Sequence, residues 1–260
     1  ELVKIVFILA GAATLDRLFA KRNLIFTILF SAYCVGCLAL MSDFGTALIF
    51  FVAFLCIAFL RTGDLPSIVM ITAAAGFAGG IVLRFKPYVL ARFAVWRHAW
   101  EYAQEEGYQQ TRTMSAVASG GLFGAGPEEA WLKYVGAANT DLVFGVVSEE
   151  FGLLLALCAA AAVILLGIYA LRAAGRSRSS FYAIAACATA AMLVFQTTLN
   201  VLGSVDLLPL TGVTFPFVSM GGSSMLSCWG LLAYLQAAAP PPVSVKAAPK
   251  APAPAVKPPQ

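Results

Sequence analysis

The chain has 260 residues, of which 60% are hydrophobic and only 12% charged, with a net charge of +4 and a mean hydropathy of +0.85. Soluble domains carry about 25% charged residues, so this composition excludes a water-soluble globule. Short alternating segments are missing, which excludes a β-barrel, and leaves an all-α polytopic transmembrane helical bundle with one large extracytoplasmic loop.

Glu1 is not an initiator methionine. The first apolar run, Ile5–Leu15, is too short to span a bilayer, and it lacks the basic flank and cleavage site of a signal peptide. It reads as the remainder of a helix, with the protein continuing upstream. A spanning helix needs roughly 20 mostly apolar residues. Such windows follow at Asn23–Met41, Phe44–Leu60, Pro66–Leu83, Phe151–Leu171, Phe181–Gly203 and Phe217–Gln236. With the first run they make about seven helices. The chain divides into four helices over 1–84, a loop over 85–140, three helices over 141–236 and a tail over 237–260.

Basic residues mark alternate turns: Arg17, Lys21 and Arg22, then Arg61, then Arg172, Arg176 and Arg178. The turns at Ser42–Asp43 and 204–211 hold no Lys or Arg. Helix parity places the basic turns on one side, which the positive-inside rule makes cytoplasmic. The loop 85–140 therefore lies outside, and its basic residues are mixed with Glu. Cys34, Cys37, Cys56, Cys158, Cys187 and Cys228 all fall in apolar helices. The "CVGC" pair lacks two further soft ligands, and the one histidine, His98, is in the loop, so these read as buried thiols.

Within the loop, "KPYVLARFAVWRHAWEYAQEE" predicts an amphipathic helix in the outer headgroup layer, with Tyr88, Phe93, Trp96 and Trp100 toward lipid. "SGGLFGAGPEE" carries Gly120, Gly121, Gly124 and Gly126. No Gly-Lys-Ser/Thr follows, so it is no phosphate loop but a plain turn. The tail "PPPVSVKAAPKAPAPAVKPPQ" predicts an extended, disordered cytoplasmic segment.

Asp141, Glu149 and Glu150 stand at the mouth of the charge-free run Phe151–Leu171. On one continuous helix Asp141 would stand about 15 Å beyond Phe151. Asp141 and Glu149 would line one groove, with Glu150 on the opposite face. Glu150 reads as structural. Asp141 follows Asn139 and Thr140, good capping types, so an acidic helix start is an equal reading of the spacing.

Several motifs, in order, resemble those of the shape, elongation, division and sporulation family of bacterial wall synthesis. They are "ELVK" (1–4), "SDFGTAL" (42–48), "GYQQ" with "SAVASGGLFGAG" (107–126), "NTDLVFGVVSEEFG" (139–152), and "FQTTLNVLG" with "LPLTGVTFPFVSMGGSSML" (195–226). The resemblance covers residues 1–236 and implies that the first three spans of a ten-span bundle are missing. It implies a peptidoglycan glycosyltransferase of the bacterial cytoplasmic membrane that polymerises lipid II outside the cell, with a class B penicillin-binding protein as partner and no nucleic acid. Asp141 falls on the family's essential outer aspartate. The matched positions suggest substrate contacts at Lys4, Asp43, Tyr108, Lys133, Asn139, Thr140, Ser219, Gly221, Gly222 and Ser223, with Glu149 and Glu150 structural, and Arg92 and Arg97 of the outer loop join the substrate-binding candidates as cations. A divalent cation, Mg or Mn, is implied, without defined ligands. Asn139 replaces the family's histidine, and "VGAA" (135–138) replaces its Leu-Pro-Glu.

The chemistry agrees with the residues. A sugar on a lipid pyrophosphate has a leaving group that needs little protonation, so one base suffices where glycoside hydrolysis uses two carboxyls. Arg92, Arg97 and Lys133 are candidates to hold the pyrophosphate as its charge grows. Two other classes stand beside this one. A lipid II flippase would show polar groups through the membrane depth and inverted repeats. A non-catalytic scaffold for a wall transpeptidase would fit the departures at 135–139.

Overall fold

The computed structural model describes residues 1–13, 20–85, 87–177 and 179–238. Arg17, Arg178 and the tail from residue 239 lie outside the described residues, as do the side chains of Lys21, Arg22 and Tyr88. The seven expected helices correspond to α1 (Val3–Ala13), α2 (Ala20–Leu40), α3 (Phe44–Thr62), α4 (Leu65–Phe85), α8 (Leu153–Arg176), α9 (Ser180–Ser204) and α10 (Gly222–Ala238). Three more, α5 (Pro87–Val95), α6 (Tyr108–Gly120) and α7 (Val143–Phe151), lie between α4 and α8. Among the described residues, α3, α8 and α9 are long and apolar enough to cross a membrane. In lipid a backbone must satisfy its own polar groups, and helices do so within one segment.

The centre of the bundle is α9, which packs against α1, α3, α8 and α10, and at its far end against α6 and α7. Phe7, Ile8, Ile49, Phe50, Met192, Leu193 and Leu231 form the core around it. Phe7 and Phe50 meet edge to face at 4.9 Å. Alanines 185, 186, 188 and 190 of α9 are all buried, which lets α8 and α10 come close. The helices α3 and α8 both run away from the end that holds α5–α7. Their last turns carry Arg61 and Arg176 at the opposite end of the bundle.

Three expectations change. The Asp141–Leu171 helix is broken in two, because Gly152 adopts φ 92° and ψ 156° between α7 and α8. The glycine-rich turn bridges the break: Ala125 N–H donates to Glu149 O at 2.8 Å and Leu153 N–H to Gly121 O at 2.9 Å. That approach is backbone against backbone, since a Cβ on Gly124 would lie 2.4 Å from Glu150 O. The amphipathic helix expected from residue 86 to Glu106 ends at Val95. Arg97 turns left-handed at φ 65°, and its N–H donates to Asp206 at 3.0 Å. The last span starts at Gly222 rather than Phe217, because Phe217 is left-handed at φ 64° and Ser219 Oγ accepts the Phe215 N–H at 2.7 Å.

Candidate active site

Asp141 sits in a tight turn ahead of α7. Ala137 is left-handed at φ 63°, and its carbonyl accepts the N–H groups of Thr140, Asp141 and Leu142 at 3.2, 2.9 and 3.3 Å. Three consecutive carbonyls then anchor this turn to the rest of the bundle. Asn139 O accepts from Met220 N–H at 2.8 Å, Thr140 O from Ser219 Oγ at 2.6 Å, and Asp141 O from Asn200 Nδ2 at 2.8 Å. Asn200 Nδ2 also donates to Val213 O at 2.7 Å, so one buried amide joins α9, the Asp141 turn and the segment leading to α10.

The Asp141 side chain faces a groove of about 470 Å³ whose lining includes Asp43, Arg92, Trp96, Leu208 and Thr211. Asp43 is the N-cap of α3, accepting the Thr46 N–H at 3.1 Å. Arg92 reaches in from α5 and donates to Leu210 O at 2.8 Å. Gly212 completes the wall at φ 70°; a Cβ there would lie 3.1 Å from Asp141 Oδ2. Burial pushes the Asp141 carboxyl above its ordinary range, while a Thr140 hydrogen bond and the Arg92 charge pull it down, and the Asp43 charge adds to the rise. The groove therefore holds a carboxylate more basic than a solvated one, beside a fixed cation.

Of the residues singled out in the sequence, Asp43, Arg92 and Asp141 line this groove together. Asn139, Thr140 and Ser219 stand next to it and hold the Asp141 turn. Gly221, Gly222 and Ser223 open α10, with Gly222 and Ser223 exposed, and they are not among the lining residues. Tyr108 lines a smaller neighbouring chamber, with the Arg112 guanidinium 5.2 Å from its ring. Arg97 lies 5.4 Å from the ring of groove-lining Trp96, and Lys133 donates to Pro127 O at 2.6 Å; neither is among the lining residues. Lys4 is buried in the bundle, donating to Glu1 at 2.8 Å and to Gln196 Oε1 at 3.0 Å.

Glu149 does not share the groove with Asp141. It is 1% exposed and accepts the N–H groups of Trp131 and Leu132 at 3.2 and 2.9 Å, capping the single 3-10 turn Leu132–Tyr134. Asp141 lies in the Ala137 turn before α7 rather than on the helix, so angles reckoned on one continuous helix do not apply. Glu150 lends its backbone carbonyl to the Gly126 N–H at 3.2 Å.

The sequence reading passed over Asn200 and Thr211. Asn200 had a signal, since a polar side chain inside an apolar span is costly and marks a contact; Thr211 lies within the quoted "LPLTGVTF" motif, which by itself gives it no role. Among the described residues no group of three or more His, Cys, Asp or Glu side chains could hold a metal ion. Asp43 and Asp141 nevertheless offer carboxylate oxygens in one groove. That donor set suits a hard cation which takes its other ligands from water and a phosphate group.

Fold and groove together define a polytopic helical membrane protein with an aspartate–arginine site at one end of its bundle. The chain belongs to the FtsW/RodA/SpoVE family, described as cell cycle protein, whose model matches residues 1–240. Relatives include the peptidoglycan glycosyltransferase RodA of Mycobacterium leprae, 33% identical over 77% of this chain and 43% of its own length. The probable peptidoglycan glycosyltransferase FtsW of Coxiella burnetii is 31% identical over 87% of this chain and 63% of its own length. The corresponding Bacillus subtilis protein is 29% identical over 90% and 62%. The chain thus spans about half to two thirds of the length of these relatives. A solved peptidoglycan synthase complex, described as coordinating polymerization and crosslinking, shares the fold. Its TM-score is 0.69 at 23% identity, covering 90% of this chain and 68% of that one.

Proposed function

We propose that this chain carries the catalytic groove of a membrane peptidoglycan glycosyltransferase that polymerises lipid II on the outer face of the bacterial cytoplasmic membrane. The carrying observation is the meeting of Asp141 and Arg92 in one groove, with Asp141 made more basic by burial. Asp141 takes the proton from the acceptor hydroxyl as its oxygen bonds to the donor's anomeric carbon. The bond from that carbon to the lipid pyrophosphate breaks, and the pyrophosphate leaves with both electrons. Arg92 stabilises the charge that develops on it. A divalent cation, when bound through Asp43 and the pyrophosphate, would supply further charge neutralisation. The replacement of histidine by Asn139 is tolerable on this reading, because residue 139 anchors the turn through its backbone carbonyl. A crosslinking partner, a class B penicillin-binding protein, belongs to the same proposal, as suggested by the complex that shares the fold.

The test is Asp141→Asn in the full-length protein. It keeps shape and capping capacity but removes the base, and loss of a general base typically costs about 10²–10⁴-fold in rate. Normal yield and lipid II binding with almost no glycan is the expected result; glycan at near wild-type rate would falsify the assignment. Orientation is tested separately in a cysteine-free background. Leu207→Cys, in the exposed turn after α9, should react with an impermeant maleimide on intact cells, and Arg176→Cys should not. The reverse pattern would put the groove on the cytoplasmic side.

A further inference from the structure

We propose that Asp206 is a positioning residue for Arg92: its carboxylate ties the end of α5 to the central helix and so sets where the guanidinium stands in the groove. That Arg92 acts on a leaving pyrophosphate rests on the glycosyltransferase reading above; that Asp206 holds it does not. Among the helices, α5 packs mainly along α4, at the edge of the bundle. Three hydrogen bonds cross from α5 and the two residues after it to the segment that follows α9. Arg92 Nη1 donates to Leu210 O at 2.8 Å, Trp96 Nε1 to Leu207 O at 3.2 Å, and Arg97 N–H to Asp206 Oδ1 at 3.0 Å. The partners pair in antiparallel order, 92 with 210, 96 with 207 and 97 with 206.

Of the three acceptors, only Asp206 uses its side chain, so this tie depends on the identity of the residue. The carboxylate is itself held in place. Gln110 of α6, 3% exposed, donates through Nε2 to Asp206 Oδ1 at 2.9 Å and to Gly203 O at 3.0 Å. The backbone beside it is fastened to the end of α9, where the N–H groups of Leu207 and Leu208 donate to Leu202 O at 2.9 and 3.1 Å. One carboxyl oxygen therefore joins α5, α6 and α9.

A separate observation marks the same bond. Two left-handed residues meet in it, Arg97 at φ 65° and Asp206 at φ 60°. A residue with a Cβ adopts that conformation at a cost, Asp more readily than Arg because its short polar side chain can bond locally. Such strain persists only where the surrounding structure over-determines it, and it collects at functional sites. Here α5 stops at Val95, and the Arg97 N–H goes to the carboxylate instead of continuing the helix. Without that bond the end of α5 could turn or slide, and Arg92 would move with it. A cation that meets charge as it develops has to be preorganised. A displacement of about 1 Å can cost on the order of 10²-fold in rate.

The test compares Asp206→Gly with Asp206→Asn in the full-length protein. Glycine keeps the left-handed turn and removes the acceptor; asparagine also tolerates that turn and keeps Oδ1 as a neutral acceptor. Spin labels at Leu90→Cys on α5 and Leu154→Cys on α8, both exposed, report the position of α5 in a cysteine-free background. Their distance distribution should broaden in Asp206→Gly and narrow again in Asp206→Asn. In lipid II polymerisation, Asp206→Gly should lower kcat about 10–100-fold with KM little changed, and Asp206→Asn should recover most of that loss. In an Arg92→Gln background, Asp206→Gly should cost at most about a further twofold, because both changes remove the same contribution. Should Asp206→Gly give no folded protein, Asp206→Ser, which also lacks Oδ1, takes its place with the same expectations. An unchanged distribution, a rate near wild type, a loss that Asp206→Asn does not recover, or the full loss repeated in the Arg92→Gln background would each overturn the assignment. A wild type that makes no glycan, with a distribution that still depends on Asp206, would overturn the catalytic reading alone.

Discussion

Neighbouring helices α8 and α9 pack along their lengths, yet they are built on opposite principles. The more apolar of the two, α8, has 28% of its membrane window buried, whereas α9 has 67% buried. Lipid is as apolar as leucine, so a helix facing lipid gains nothing from hiding its side chains. Leu154, Leu157, Leu165 and Tyr169 of α8 accordingly face outward. In α9 the buried face carries Gln196, Asn200 and Ser204, one turn apart, among small residues. Each of the three side chains has protein partners: Gln196 binds Lys4 and Thr214, Asn200 Nδ2 binds two carbonyls while its Oδ1 has no partner among the described residues, and Ser204 donates to Asn200 O at 2.8 Å. In this bundle hydropathy identifies the helix that faces lipid, and polarity identifies the helix that builds the site.

The comparison breaks most severely at Asn200. Asn200→Leu should remove both bonds from Nδ2 and leave the carbonyls of Asp141 and Val213 without their amide donor. An unsatisfied buried group costs about 1–3 kcal/mol. We expect a lowered Tm in detergent and, because the Asp141 turn loses an anchor, loss of most polymerisation. Wild-type activity in Asn200→Leu would show that the turn is held without α9.

Next in size are shifts in the pH profile. The base must be deprotonated to act, and burial raises its pKa, so activity should fall on acidification at a pH above the ordinary carboxylate range. Asp43→Asn removes a charge that raises this pKa, so the acid limb should move to lower pH. Arg92→Gln removes one that lowers it, so the limb should move to higher pH, together with a lower maximal rate. Rate against pH in the full-length protein measures both, and shifts of equal sign would refute the charge arrangement.

The smallest effect is expected on α8. Leu165 is 65% exposed within the span, so Leu165→Ala should change stability by no more than about 0.5 kcal/mol. Thermal unfolding compared with Asn200→Leu then gives the contrast between the two helices directly.

The sequence by itself determined the helical membrane class, the seven apolar segments and the order of the motifs, because the length and apolarity of a span are local properties set by the bilayer. It also singled out Asp141, through a motif surrounded by residues that anchor it. The groove was decided only by tertiary structure. Asp43, Arg92 and Asp141 lie on three separate elements; the polarity of Asn200 inside an apolar span marks a contact without naming its partner, and Gly212 has no local signature of its place in the wall. The same holds for the break at Gly152. Glycine allows φ 92° there but does not require it; the carbonyls and N–H groups freed at the break are satisfied by the distant 121–126 turn. Glu149, an expected groove residue, instead caps residues 131–132, and Asp141 stands in the turn before α7 rather than on the same helix. Hydrogen bonds between residues distant in the chain made that choice, and no periodicity within either segment encodes them.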